Sequence, residues 1–139
     1  MNDLAAARAA YNRDAVLSAS PARLLTMLYD RLLLDLQRAE SAQVAGTWDT
    51  ASTHLLHAQD IVTHLMVTLK PEVWDGGPGL LALYEFVMKS LQGANMYRDV
   101  ERTRESIALL EPLRQAWHQA AAEVASTTPA YSGFGQALA

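Results

Sequence analysis

The side chains best suited to metal or proton chemistry are His54, His57 and His64, with Asp60 between them. Helical spacing puts His57, Asp60 and His64 on one face and His54 at its edge. A metal ion needs ligands that converge on one point. His57 and His64 are two turns apart, roughly 10 Å, so they do not share an ion. They also stand opposite a Leu55–Val62–Leu69 stripe, and the face reads as polar and solvated. No glutamate has a histidine three residues later, so the paired Glu-x-x-His signature of di-iron bundles is missing. There is no P-loop, Gly-x-Ser-x-Gly elbow or His-Glu-x-x-His motif. Gly76-Gly77-Pro78-Gly79 precedes a helical pattern but lacks the phosphate-binding lysine and a strand before it, and it reads as an interhelical loop. The chain has no cysteine, which excludes disulfides, zinc thiolates and thiol catalysis. Serines and histidines are present, but nothing in the sequence brings them together. The expectation is a binding protein with no catalytic residues, metal or cofactor.

The elements that would position any site are helices. Ser20 is a good N-cap and Pro21 follows at the first helical position, where its missing N–H costs nothing. Leu24, Leu25, Leu28, Leu32, Leu36 and Ala39 then recur at spacings of three and four, an amphipathic stripe that fades by Gly46. A second helix starts at Thr47 and carries Trp48, Ala51, Leu55, Ala58, Val62, Leu65, Met66 and Leu69 on one face. Lys70-Pro71 stops it, because a residue before proline avoids the helical region. Residues 71–79 form the longest internal loop. A third helix spans Leu80 to Tyr97. A fourth begins at Asp99 with Glu101 in its first turn, and Pro112 should kink or break it. Its stripe is Val100, Thr103, Ile107, Leu110, Trp117, Ala121 and Val124.

This pattern predicts an all-α fold, an antiparallel four-helix bundle. Residues 1–125 form a single domain, in which residues 4–15 could add a short N-terminal helix and residues 1–19 act as a mobile cap. Residues 126–139, rich in Ser, Thr, Pro and Gly, form a flexible tail. Half the residues are hydrophobic and 19% are charged, which is too apolar for a disordered chain. A net charge of −4 provides no basic footprint for nucleic acid or an anionic membrane. No apolar run is long enough to span a bilayer and no secretory signal opens the chain, so a cytoplasmic protein is expected.

What exceeds the needs of a core is apolar surface. Met27 and Leu34 lie on one flank of the first helix. Leu81 and Met88 lie on one flank of the third, Phe86 and Tyr97 on the other. Either these helices are buried over wide arcs, or they leave a groove for another amphipathic helix. Methionine suits such a groove because it repacks easily. Tyr11, in a polar stretch, is either an ordinary exposed tyrosine or a removable cover over such a groove.

The ordered set Tyr11, Ala19-Ser20-Pro21, Leu24, Leu25, Met27-Leu28-Tyr29-Asp30, Ala58-Gln59-Asp60-Ile61-Val62, Leu65, Leu69, Leu83-Tyr84-Glu85-Phe86, Leu91, Ala94-Asn95, Asp99-Val100 and Trp117 resembles the FliS family of flagellar secretion chaperones. The resemblance covers residues 11–121. The sequence departs from the family pattern at Arg31, usually glycine, at His64, usually glutamate, and at Pro112. The resemblance implies a non-enzymatic chaperone that binds the C-terminal amphipathic segment of flagellin, prevents premature polymerisation and docks at the flagellar export gate. It implies a client groove around Ile61, Leu65, Leu69, Tyr84, Leu91 and Asn95, with Tyr11 on the cover. Core packing is an equal reading for Leu65, Leu69 and Leu91, and Asn95 could satisfy either a helix end or a client backbone. An alternative is a helical adaptor that uses the same flanks to form a homodimer.

Overall fold

A computed structural model describes the backbone of residues 3–8, 20–69 and 75–127, and side chains as far as Val124. The described residues form helices α1 (residues 3–8), α2 (Pro21–Ala45), α3 (Trp48–Thr68), α4 (Gly77–Met96) and α5 (Val100–Thr127). The chain falls into two compact units. Leu28–Leu113 is one, and the described residues on either side of it belong to the other. α2 and α5 each run through a boundary between them.

Local chemistry sets most of the helix ends. Ser20 caps α2: its Oγ accepts the Arg23 N–H at 3.2 Å and its carbonyl accepts the Leu24 N–H. At the other end Gly46 takes φ +75°, its N–H bonds the Gln43 carbonyl and the Thr47 N–H bonds the Ala42 carbonyl, the double closure of a Schellman turn. Thr47 stands at the N-cap of α3 without capping it, because its hydroxyl donates to the Ala42 carbonyl instead. Leu69 leaves α3 with extended backbone, as a residue two before a proline can. Asp99 accepts the Glu101 N–H at 3.0 Å at the start of α5.

The structure departs from the expected boundaries in three places. α4 begins at Gly77 rather than Leu80, because Pro78 falls in the first turn, where no intrahelical N–H is needed, and Leu80 already donates to the Gly76 carbonyl. α5 is one uninterrupted helix through Pro112. Pro112 and Ala108 are both exposed, so the carbonyl that loses its partner faces water. α5 also takes in Ser126 and Thr127, which were expected in the tail. At the N-terminus residues 3–8 are helical; residues 9–19 and 128–139 lie outside the described residues.

Within Leu28–Leu113 the paired residues define the topology. Tyr29 meets Tyr84, and Gln43 meets Ala94, so α2 and α4 run the same way. Gln43 also meets Thr103, and Glu40 meets Arg104, so α5 runs against α2. α3 packs on α4 and opposes it, since Trp48 at its start meets Arg98 beyond the α4 C-terminus. The result is an antiparallel all-α bundle. Leu32, Leu36, Ala39, Leu55, Ala58, Val62, Val87, Leu91, Ala94 and Leu110 are fully buried in it. Burying a leucine stabilises by about 1.5–3 kcal/mol, so this apolar core is the principal source of stability.

Candidate functional site

The seam between α3 and α4 remains partly open. Ser52 on α3 and Asn95 on α4 line one cavity. Seven residues onward from Ser52 is Gln59, and seven more is Met66; seven back from Asn95 is Met88, and seven more is Leu81. In an antiparallel helix pair these positions oppose one another as three rungs, spread over about 21 Å. All six residues are half-buried, whereas the neighbouring positions Leu55, Val62, Leu91 and Val87 are closed. The rungs grade from apolar, Met66 and Leu81, through Gln59 and Met88, to polar, Ser52 and Asn95. Leu56 and Val67 are exposed on α3 as well. A groove of this length with a methionine-rich floor suits an amphipathic helix laid along it.

The polar end opens into a cavity of about 290 Å³ lined by Gln43, Trp48, Ser52, Leu55, Asn95 and Arg98, with Asp49 and Met96 at its edge. Gln43 lines its buried side and is engaged at both ends of its amide: its Nε2 donates to the Ala94 carbonyl at 3.3 Å and its Oε1 accepts from Thr103 Oγ1 at 2.7 Å. Arg98 has φ +51°, a left-handed conformation that costs a non-glycine residue of the order of 1 kcal/mol. It allows the Asp99 N–H to close α4 on the Ala94 carbonyl. It also lays the Arg98 guanidinium over the Trp48 ring at 5.2 Å, a cation–π contact that walls the cavity.

On the other side of α3 the polar groups are closed. Asp35 of α2 is fully buried and accepts from Arg31 Nε at 3.2 Å and from His57 Nδ1, with His54 Nδ1 at 3.8 Å. The histidine face expected to be solvated is therefore divided. Asp60 and His64 are exposed, whereas His54 and His57 turn toward α2 and hold a buried carboxylate. Among the described residues no cluster of three or more ligating side chains could hold a metal. The Tyr29 and Tyr84 hydroxyls meet at 2.6 Å, also buried. Burial, and then the Tyr29 hydrogen bond, push the Tyr84 phenol far above its ordinary value.

The residues expected around a client groove divide in the same way. Ile61, Leu65, Tyr84 and Leu91 are buried, so their side chains face the interior. Leu69 is half-buried at the end of α3. Asn95 lines the cavity. Tyr11 lies outside the described residues. Trp48, Ser52, Gln59 and Arg98 were not singled out as binding residues. The seven-residue spacing of Ser52, Gln59 and Met66 was a usable signal for the first two. That Arg98 stacks on Trp48 depends on a turn conformation that local composition does not reveal. Asp35 was also missed, although an acid between Leu32 and Leu36 on an apolar stripe marks a buried carboxylate in need of partners.

The family model for the flagellar protein FliS matches residues 3–124. The flagellar secretion chaperone FliS of Escherichia coli (strain K12) is 33% identical over 108 residues, covering 76% of this chain and 79% of that protein. That of Bacillus subtilis (strain 168) is 28% identical over 111 residues, covering 80% and 83%. A crystal structure of a flagellar chaperone from bacteria superposes with a TM-score of 0.68 at 17% identity, covering 84% of this chain and 98% of that one, a likeness of fold.

Proposed function

This chain belongs to the FliS family of flagellar secretion chaperones, and from that premise we propose that it binds the C-terminal amphipathic segment of flagellin in the cytoplasm, keeps it from polymerising early and delivers it to the flagellar export gate. The observation that carries this reading is the three-rung seam between α3 and α4. A free amphipathic segment has an apolar face to bury, and the half-buried seam, apolar at Met66, Leu81 and Met88, offers such a face about 21 Å in which to lie. Ordering such a segment costs chain entropy, so a large contact area yields moderate affinity, and the client can later be released. The work is binding and delivery, with no cofactor and no bond made or broken. The described helices support that setting in one respect: none is long and apolar enough to cross a membrane. Tyr11 and the residues around it act as the removable cover of the groove.

Calorimetry of the protein with the C-terminal segment of flagellin from the same cell tests the proposal. One-to-one binding with a negative heat-capacity change is expected. Met88→Glu should abolish it while the protein stays folded, because Met88 is half-buried at the middle rung. Deleting residues 1–15 should leave the bundle folded and change the affinity. An intact, soluble segment that does not bind would overturn the reading.

A further inference from the structure

We infer that the cavity at the polar end of the α3–α4 groove is a socket for one uncharged carboxamide side chain, asparagine or glutamine, on the client helix. This rests on the groove being the client's seat. The cavity measures about 290 Å³. An apolar cavity of roughly 150 Å³ already admits benzene, so a side chain of similar heavy-atom count enters without displacing a wall.

The lining determines which side chain that is. Asp49 and Arg98 bring opposite charges to the same cavity. A carboxylate would gain from one and lose against the other, and so would an ammonium, which leaves a neutral polar group favoured. Ser52 and Asn95 each offer a donor and an acceptor, and neither side chain has a hydrogen bond among the described residues. An incoming carboxamide pairs with Asn95 in both directions at once, its N–H₂ to the Asn95 oxygen and its oxygen to the Asn95 N–H₂. Gln43 does not compete, because both ends of its amide are already engaged. The Trp48 ring and Leu55 supply an apolar wall for the stem of the side chain.

The rungs fix the register. The socket lies two helical turns from Met88 and four from Leu81, so the carboxamide stands about seven residues from one apolar anchor of the client helix and fourteen from another. An apolar residue at that position would bury Ser52 and Asn95 without partners, and a site built to hydrogen-bond discriminates strongly against an analogue that cannot.

The test is calorimetry with the C-terminal flagellin segment, replacing each asparagine and glutamine singly by leucine and by glutamate, against the unmodified protein and against Asn95→Leu. One position is expected at which leucine or glutamate weakens binding about tenfold to the unmodified protein, and at which leucine weakens binding to Asn95→Leu less than twofold. Melting curves check that the variant folds, and Ser52→Val provides a second test of the same coupling. If the parent segment binds but no carboxamide position couples to Asn95 or Ser52, the socket is overturned while the client reading stands. The socket is likewise overturned if the coupled position prefers glutamate. If the parent segment does not bind, the client reading fails and the socket with it.

Discussion

The two sides of α3 use polar residues in opposite ways. Toward α2, Asp35 is fully buried and bonded to Arg31 and His57, and deeper in the bundle Gln43 joins Thr103 to the Ala94 carbonyl while Tyr29 meets Tyr84. Toward the open side of α4, Ser52 and Asn95 are half-buried with no side-chain hydrogen bond among the described residues. A closed polar network stabilises one arrangement of helices, because any shift leaves a buried group unpaired. An open one costs little while water serves it and becomes selective only when a partner excludes that water. The α2 side therefore holds the register of the bundle, and the α3–α4 seam is free to bind.

Substitutions should separate these roles, and the largest effect belongs to the closed side. Leu91→Ala removes a fully buried side chain and should cost about 2–5 kcal/mol in urea unfolding, with client affinity per folded molecule unchanged. An affinity loss larger than the unfolded fraction explains would place Leu91 in the binding surface. Tyr84→Phe removes the buried hydrogen bond between the Tyr84 and Tyr29 hydroxyls and should cost about 1–3 kcal/mol. The same pair carries a pH dependence. Tyr84 keeps its proton in the folded state to a higher pH than in the unfolded chain, so above pH 10 or so the unfolded state binds fewer protons. Its contribution to stability is complete below that pH and is lost as pH rises further. Tyr84→Phe should flatten this alkaline fall, and an unchanged slope would dissociate it from Tyr84.

A smaller effect is expected at the surface end of the closed network. His57→Ala should cost about 1 kcal/mol, because the imidazole is half-exposed although its carboxylate partner is buried. No change in melting temperature would mean that Arg31 and His54 hold Asp35 without it. The smallest effect should come from Gly93→Ala. An added Cβ would clash with the Arg102 guanidinium, but that side chain is half-exposed and can swing away. Alanine also favours helix by about 1 kcal/mol over glycine. The two should cancel to within about 1 kcal/mol by thermal unfolding, and a loss of several would show that Arg102 is fixed against Tyr97 and Asp99.

Much of the fold was legible in the amino-acid sequence. Ser20-Pro21 marked the start of α2, Gly46 its end, and Lys70-Pro71 the end of α3, because these signals act within one helical turn. The start of α4 was placed three residues late because Gly77-Pro78-Gly79 reads as a loop by composition, although a proline in a first turn favours a helix. The site was less legible. Periodicity placed Leu81 and Met88 on a surplus flank, yet it could not distinguish a buried Tyr84 from an accessible one, since both belong to the same apolar arc.

By itself the sequence determined the helices, their approximate ends, their amphipathic faces and a family resemblance, all of which rest on local spacing or on an ordered set of residues. Only the tertiary structure decided that Asp35 would meet His57, 22 residues away, and that Gln43 would meet Thr103, 60 residues away. It alone decided which flank of α3 would be sealed and which left open. Periodicity gives each helix an apolar direction, but its partners depend on how four such directions pack together at once, and that is settled by side-chain volumes and hydrogen bonds between distant segments.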